Sequence, residues 1–251
     1  MKFALLQTHL YWEDKSANLT NFSSIIRSTS QKTDIIVLPE MFSTGFSMNT
    51  VLAEPMEGES LKWLREISMH SNALICGSLM IVEEEKVYNR FIAIYQGEIL
   101  HTYDKRHLFR MAGEDEHFAS GNLRNSFDYK GWRIRPNICY DLRFPVWSRN
   151  DDNFDVYLNV ANWPDRRILH WKALLAARAI ENQCFAIGVN RIGTDGKGIL
   201  YSGGTAVFDF NGSPLADSQE DTVLYVDLKK QDLEKIRTEF PVWKDRDTFQ
   251  V

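Results

Sequence analysis

Residues 132–145 read WRIRPNICYDLRFP, in which a short strand-like run leads directly into a polar segment that ends at a proline. The run from Trp132 to Cys139 predicts a β-strand. Proline is favourable at the first position of a helix, so we expect Pro145 to open a short helix. Cys139 therefore lies where a strand gives way to a helix.

Strand-like apolar runs alternate with helical patterns on both sides of this segment, which predicts an α/β fold with sheets covered by helices. We see no internal repeat, low-complexity tract or linker, so one domain over residues 1–251 is expected. Residues 110–125 show no clear period and are expected to form an ordered loop over a site. The other predicted strands are 3–8, 34–38, 73–79, 91–95, 100–103, 156–160, 184–190, 204–210 and 222–228, and helical spacing covers 19–26, 61–67, 168–182 and 231–238.

Three polar side chains, Glu40, Lys105 and Cys139, each fall just after a predicted strand. Because α/β proteins place their active sites at such strand ends, we expect the three to lie together. A thiol becomes a good nucleophile when a base takes its proton and positive charge stabilises the thiolate. Glu40 fits the base. Lys105, with a backbone N–H at the helix start after Cys139, fits the group that stabilises the thiolate and then an oxyanion.

Composition excludes some classes of partner. The chain has 251 residues, with 29 Lys+Arg against 34 Asp+Glu and a formal net charge of −5. Its basic tracts, 104–107 and 165–167, are short and interrupted by acids, so we interpret them as solvated surface and do not expect nucleic acid as a partner. No apolar run has the length of a secretory leader or a membrane span, so no membrane partner is expected.

Three cysteines, Cys76, Cys139 and Cys184, cannot all pair with one another. An odd and sparse set points to a reducing compartment, and a cytoplasmic protein is expected. Cys76 lies inside an apolar strand and Cys184 begins one, so both are expected to be core residues. The question of a reactive thiol therefore falls on Cys139.

Plainer interpretations exist for these candidates. Alone, Glu40 could be a solvated acid and Lys105 one member of a surface charge run, but their occurrence together with Cys139 favours catalysis. The six histidines lack ligand spacing and the cysteines lack Cys-x-x-Cys spacing, so neither a metal nor another cofactor is expected. His170 is a minor candidate for a pocket wall.

Three motifs resemble, in order and spacing, the Glu-Lys-Cys signature of the nitrilase superfamily of carbon-nitrogen hydrolases. They are Leu38–Phe42, Tyr103–Phe109 and Asn137–Pro145. The resemblance covers essentially the whole chain. Residues 140–149 are most similar to the bacterial omega-amidase branch, which hydrolyses 2-oxoglutaramate and 2-oxosuccinamate.

This resemblance implies a four-layer α-β-β-α sandwich and a homodimer. It also implies that Cys139 is the nucleophile, that Glu40 is the general base, and that Lys105 stabilises the tetrahedral intermediate together with the N–H of Tyr140. A second glutamate is implied in the loop after the lysine. Glu114 matches its pattern, and Glu116 is the alternative.

A small oxo-dicarboxylic monoamide also requires a residue that holds its carboxylate. Arg143, four residues after Cys139, is a planar, bidentate donor close to it in sequence, although a pairing with Asp141 or another carboxylate is nearly as plausible. Phe42, Tyr140 and Trp163 are expected to form apolar pocket walls.

Two alternatives to the omega-amidase remain open. One is another enzyme of the same superfamily, acting on a nitrile, a carbamoyl compound or another short amide. The other is a non-catalytic, thiol-regulated binding protein, which the complete set of three residues argues against.

Overall fold

The computed structural model describes residues 1–29 and 33–248. Its α-helices are α1 (Lys15–Ser28), α2 (Glu59–Ser71), α3 (Glu114–His117), α4 (Ile168–Asn182) and α5 (Lys230–Glu239). Its strands are β1 (Lys2–Gln7), β2 (Ile35–Val37), β3 (Leu74–Glu83), β4 (Lys86–Tyr95), β5 (Glu98–Asp104), β6 (Phe127–Tyr129), β7 (Trp132–Ile138), β8 (Val156–Val160), β9 (Phe185–Val189), β10 (Ile192–Thr194), β11 (Leu200–Ser202), β12 (Thr205–Phe208), β13 (Pro214–Ser218) and β14 (Thr222–Asp227). Short 3-10 helices cover Thr50–Leu52, Arg110–Ala112, Cys139–Arg143, Asp165–Arg167 and Val242–Asp245.

The first large sheet has the strand order β14-β1-β2-β3-β4-β5. Its centre is parallel, with Ile36 of β2 opposite Ile75 of β3, and its outer strands are antiparallel. Parallel strands need cover on both faces. On the outer face that cover comes from Leu19 and Phe22 of α1 and Leu64 of α2.

The second large sheet has the order β13-β12-β9-β8-β7-β6, again with a parallel centre. Trp171 and Leu175 of α4 pack on its outer face. Gly188 of β9 permits this close approach, because an added Cβ would lie 2.4 Å from Leu175 Cδ1. The helix therefore sits directly on the sheet whose strand β7 leads to Cys139.

The inner faces of the two sheets share one apolar core. Leu5 and Val37 of the first sheet contribute to it together with Ile134, Leu158 and Ile187 of the second. With helices on both outer faces, the layers run α-β-β-α. The expected four-layer sandwich is confirmed.

The expectation of a helix opening at Pro145 is wrong. The helix after β7 is a 3-10 turn that begins at Cys139 itself and ends at Arg143. The Asp141 carboxylate causes this early start, because it accepts the N–H of Ile138 (3.1 Å) and so ties the turn to the strand end. Pro145 lies in the exposed turn that follows.

The segment 110–125 is more structured than the expected loop. It holds the 3-10 turn Arg110–Ala112 and the short helix α3. A reversal at Gly113, with φ of 73°, joins the two. This reversal buries Glu114 while the next residues, Asp115 and Glu116, stay exposed.

Across the described ranges, 1–29 and 33–248, none of the helices has the length and apolar character needed to cross a bilayer.

Candidate active site

Glu40, Lys105 and Cys139 follow β2, β5 and β7, and the facing sheets bring these three strand ends together. Glu40 and Lys105 are fully buried, whereas Cys139 is partly exposed in a cavity. Met41 and Cys139 both have a φ of 44°. Such left-handed backbone costs a non-glycine residue about 1–2 kcal/mol, so the fold holds both turns against a local penalty.

A buried ionic cluster forms the core of the site. Lys105 Nζ donates to Glu40 Oε1 (2.9 Å) and to both carboxylate oxygens of Glu114 (2.8 and 2.9 Å). Breaking a buried pair of this kind leaves an uncompensated charge in low dielectric, which is costly. The cluster therefore fixes the ammonium group between two acids.

The two acids also set the protonation of this cluster. Burial alone would lower the pKa of Lys105, but the charges of Glu114 and Glu40 outweigh it and raise that pKa above its ordinary value. Burial raises the pKa of Glu114; Lys105 opposes this effect and Glu40 adds to it. Lys105 is therefore a permanent cation at neutral pH.

Two asparagines orient Glu40 within this cluster. Asn89 Nδ2 donates to Glu40 Oε1 (2.8 Å), and the backbone N–H of Asn162 donates to Oε2 (2.8 Å). Asn162 Nδ2 also donates to the backbone oxygen of Glu40 (2.6 Å). Neither side chain is among the residues expected at the site, because a polar residue within or just after a strand is too common a pattern to single it out.

Cys139 lies beside this cluster as a neutral thiol. Burial and then the Glu40 charge raise the pKa of the thiol well above its ordinary value, with Lys105 opposing. The Cys139 Sγ also lies 3.9 Å from the backbone oxygen of Asn162. The thiol therefore needs a base at the moment of attack, and Glu40 is placed to act as one.

All three cysteines are free, and the other two are core residues, as expected. Cys76 and Cys184 are fully buried. Burial raises the pKa of Cys184 to about 12 and that of Cys76 further. Neither has thiolate character at neutral pH.

Asp141 ties the nucleophile's turn to the loop that carries Lys105. Its carboxylate accepts the Tyr103 hydroxyl (2.7 Å) and the His107 backbone N–H (2.9 Å), besides the N–H of Ile138. Tyr140 is the second residue of this 3-10 turn, and N–H groups in a first turn have no partner within the helix. The N–H of Tyr140 is thus suited to an oxyanion formed at Cys139.

A cavity of about 310 Å³ opens above Cys139. Tyr140, Trp163 and Arg143 line it, as the sequence suggested, and Glu116 is exposed away from the cluster that holds Glu114. A larger hollow beside α1 and α2 contains none of these groups.

The expectation that Phe42 forms a pocket wall is wrong. Phe42 is fully buried between α1 and α2, with its ring 5.7 Å from Phe22 and 5.8 Å from Trp63. The left-handed turn at Met41 directs the chain back under these helices. Phe46, four residues later, lines the cavity instead.

Arg143 is not paired with Asp141. Its Nη2 lies 3.2 Å from His170 Nδ1, and its guanidinium carbon lies 4.6 Å from the centre of the Trp163 ring. Among the residues that the structure describes, no carboxylate forms an ion pair with Arg143. Its charge is therefore available to a ligand in the cavity.

Arg166 and Arg167 also line the cavity, contrary to the interpretation of tract 165–167 as solvated surface. The charge pattern of this tract does not indicate a position in the cavity, because only the folded chain brings the 3-10 helix before α4 close to Cys139. Tyr201 and Lys197, from and beside β11, complete the same wall. In the described parts of the chain, no group of three or more His, Cys, Asp or Glu residues is placed to hold a metal ion.

Known proteins share both this sequence and this fold. The carbon-nitrogen hydrolase family model matches residues 2–238. Omega-amidase YafV of Escherichia coli (strain K12) is 44% identical over 253 residues, which cover 100% of this chain and 98% of that protein. The 2-oxoglutaramate amidase of Bacillus subtilis (strain 168) is 31% identical over 247 residues, covering 96% and 95%.

A solved structure extends the match to three dimensions. It is a CN-hydrolase superfamily protein from Xanthomonas campestris with an arsenic adduct in its active site, and it is 38% identical to this chain with a TM-score of 0.97. The alignment covers 100% of this chain and 98% of that one. On sequence and on structure alike, the chain belongs to the carbon-nitrogen hydrolase family.

Proposed function

We propose that this protein is an omega-amidase that hydrolyses the amide of small oxo-dicarboxylic monoamides such as 2-oxoglutaramate through a thioester on Cys139. The observation that carries the proposal is the buried Glu40–Lys105–Glu114 cluster beside a thiol, under a cavity lined by arginines. The names of the relatives, omega-amidase and 2-oxoglutaramate amidase, support the substrate class.

The first step transfers the acyl group to the enzyme. Glu40 takes the thiol proton as the Cys139 sulfur forms a bond to the amide carbon. The carbonyl oxygen becomes an oxyanion stabilised by Lys105 and the N–H of Tyr140. Glu40 returns the proton to the amide nitrogen, the C–N bond breaks, and ammonia leaves a thioester on Cys139.

The second step releases the acid. A water gives a proton to Glu40 while its oxygen attacks the thioester carbon, again against Lys105. The C–S bond breaks, the carboxylic acid forms, and the thiolate recovers the proton from Glu40. Glu114 holds Lys105 in place through two hydrogen bonds and can orient or deprotonate the water.

Arg143 is proposed to bind the substrate carboxylate at the end distant from the amide. A guanidinium recognises a carboxylate through two parallel hydrogen bonds, and Arg143 has its charge free on the cavity wall. Trp163 and Tyr140 enclose the carbon chain. The expected cytoplasmic location and homodimer remain predictions, and light scattering at assay concentration would measure the second.

One assay tests the function. Ammonia release is measured with 2-oxoglutaramate, glutamine, a short aliphatic amide and a simple nitrile, using Cys139→Ala as the inactive control. We expect the highest kcat/KM with 2-oxoglutaramate. A higher value with the nitrile or the aliphatic amide would place the protein in another branch of the superfamily. A lack of ammonia release from every substrate would reject the enzyme.

A further inference from the structure

Arg167 occupies a position in the cavity that the proposed mechanism does not use. It is the last residue of the 3-10 helix Asp165–Arg167 and directly precedes α4. Its side chain is partly buried on the cavity wall, with the guanidinium carbon 5.2 Å from the centre of the Phe109 ring. Its backbone oxygen accepts the indole N–H of Trp163 (2.8 Å), which fixes this residue relative to the wall.

The charges around Arg167 are unbalanced. Arg166 and Arg143 line the same cavity, and no carboxylate within residues 1–29 and 33–248 forms an ion pair with any of the three. Burial lowers the pKa of Arg167, and the charges of Arg166 and Arg143 lower it further. Like charges without a counter-ion raise the free energy of the empty site, and a bound anion would relieve this cost.

The acid that lines the cavity is already engaged. Asp195 accepts the Tyr201 hydroxyl (3.0 Å) and the backbone N–H groups of Lys197 and Ile199 (2.9 Å each). It thereby shapes the turn between β10 and β11. In the described residues the three arginines thus line the cavity without a carboxylate partner, although the protein as a whole carries a net charge of −5.

We infer that Arg167 is a second carboxylate-binding residue, which holds the substrate's charged end together with Arg143 and makes the enzyme select anionic amides over neutral ones. The inference rests on the proposed function, because it assigns a residue to the charged end of that substrate. Phe109 holds the guanidinium plane from one side, as cation–π contacts do. Arg143 is held in the same way by Trp163, so both donors are pre-organised.

The competing role is purely structural: Arg167 would only pack on Phe109 and complete the wall. The two roles differ in substrate dependence. A structural defect lowers activity toward every amide, whereas loss of a carboxylate partner lowers activity only toward charged ones.

The test compares kcat/KM for 2-oxoglutaramate with kcat/KM for butyramide, a neutral amide, in the parent, Arg167→Gln and Arg167→Lys. The matched control is Arg110→Gln, which removes a cation with an 87% exposed side chain that already has Asp115 as partner. We expect Arg167→Gln to reduce the ratio of kcat/KM for 2-oxoglutaramate to kcat/KM for butyramide by about ten- to hundredfold, mainly through KM. This is the change in affinity that corresponds to the free energy of one hydrogen bond to a charged group. In Arg167→Lys the ratio should lie between those of Arg167→Gln and the parent, and in Arg110→Gln it should equal that of the parent. An unchanged ratio in Arg167→Gln would overturn the inference.

A binding measurement separates this inference from the proposed function. Glutarate, a dicarboxylate without an amide, is titrated calorimetrically into Cys139→Ala with and without Arg167→Gln. Binding at least tenfold weaker in the double variant supports the inference even if 2-oxoglutaramate is not turned over. Equal binding in the two proteins, or no binding in either, refutes it.

Discussion

Lys105 lies between two carboxylates, so the buried cluster holds one positive and two negative charges when all three groups are ionised. The excess negative charge disfavours a thiolate next to it and favours a proton on the cluster. That arrangement suits a base which takes the thiol proton only when sulfur begins to bond to carbon. The resting thiol and the active nucleophile thus differ by one proton held on Glu40.

Glu40→Gln tests this balance. Removing the Glu40 charge should lower the pKa of the Cys139 thiol, because that charge adds to the effect of burial in raising it, whereas Lys105 lowers it. Alkylation by iodoacetamide, followed on the Cys139 peptide, should show its midpoint at a lower pH than in the parent. Amide turnover should nevertheless fall at least about 100-fold, since the general base is gone.

Glu116→Gln is the matched control, because Glu116 is exposed two residues beyond Glu114. It should change neither the alkylation midpoint nor the turnover. A midpoint in Glu40→Gln that is equal to or above the parent value would show that Glu40 does not govern the thiol.

At this scale the sequence predicts residue types better than their surroundings. Glu40, Lys105 and Cys139 stand out because each follows a strand, and strand ends meet. The choice between Glu114 and Glu116 depends on the reversal at Gly113, which residue patterns do not show. For the same reason the sequence pattern predicts Arg167 to be a surface residue, because only the 3-10 helix Asp165–Arg167 places its side chain on the cavity wall.

The 3-10 helix Cys139–Arg143 is the element that couples nucleophile and lysine. Asp141 in its first turn receives donors from β7, from β5 and from the loop after Lys105. Its carboxylate therefore spans the two sheets close to the chemistry. We assign Asp141 a positioning role, because none of its contacts reaches the thiol.

Asp141→Ala should destabilise the fold and misplace Lys105. The Tyr103 hydroxyl and the N–H groups of Ile138 and His107 would lose their acceptor, at about 1–3 kcal/mol for each group left buried and unsatisfied. We expect a loss of at least about 3 kcal/mol in urea unfolding. The exposed Asp128→Asn, which affects only a surface pair with Arg133, should lose less than about 1 kcal/mol.

The matching kinetic readout is kcat at saturating substrate, at a temperature where Asp141→Ala is still folded. A fall in kcat with little change in KM is expected from a displaced Lys105. A variant as stable and as active as the parent would remove Asp141 from the account.

Element boundaries show where local patterns stop being sufficient. The helices over 168–182 and 231–238 are matched by α4 and α5, because their spacing reflects burial against a sheet. The prediction of a helix start at Pro145 is wrong because the Asp141 side chain starts the turn earlier, at Cys139, than the helix preference of proline indicates. The short hairpin β10–β11 has too few residues for any periodicity.

The whole molecule is built around the core that its two sheets share. Alternating strand and helix patterns are enough to predict this α/β class, since each pattern records which faces are buried. They do not reveal the composition of the cavity, because its walls come from distant turns that only the packed sheets bring together.

We propose that this shared core makes residues 1–251 one cooperative domain. Ile187→Ala in the second sheet should cost about 2–5 kcal/mol and should lower the stability of the first sheet equally. Hydrogen exchange of the β1 amides measures whether the substitution in the second sheet destabilises the first sheet. Protection of β1 that is unchanged in Ile187→Ala, or two separate unfolding transitions, would show two independent units.

The most direct test of the central claim is the mass of the enzyme during turnover. The parent is mixed with 2-oxoglutaramate, quenched in acid and digested, and the peptide that contains Cys139 is weighed. We predict that the mass of that peptide increases by the mass of the substrate minus that of ammonia, and that hydroxylamine removes the added group, as it removes a thioester. In Cys139→Ala we expect neither the added mass nor any release of ammonia. Turnover by Cys139→Ala, or an acyl group found only on another residue, would contradict the account.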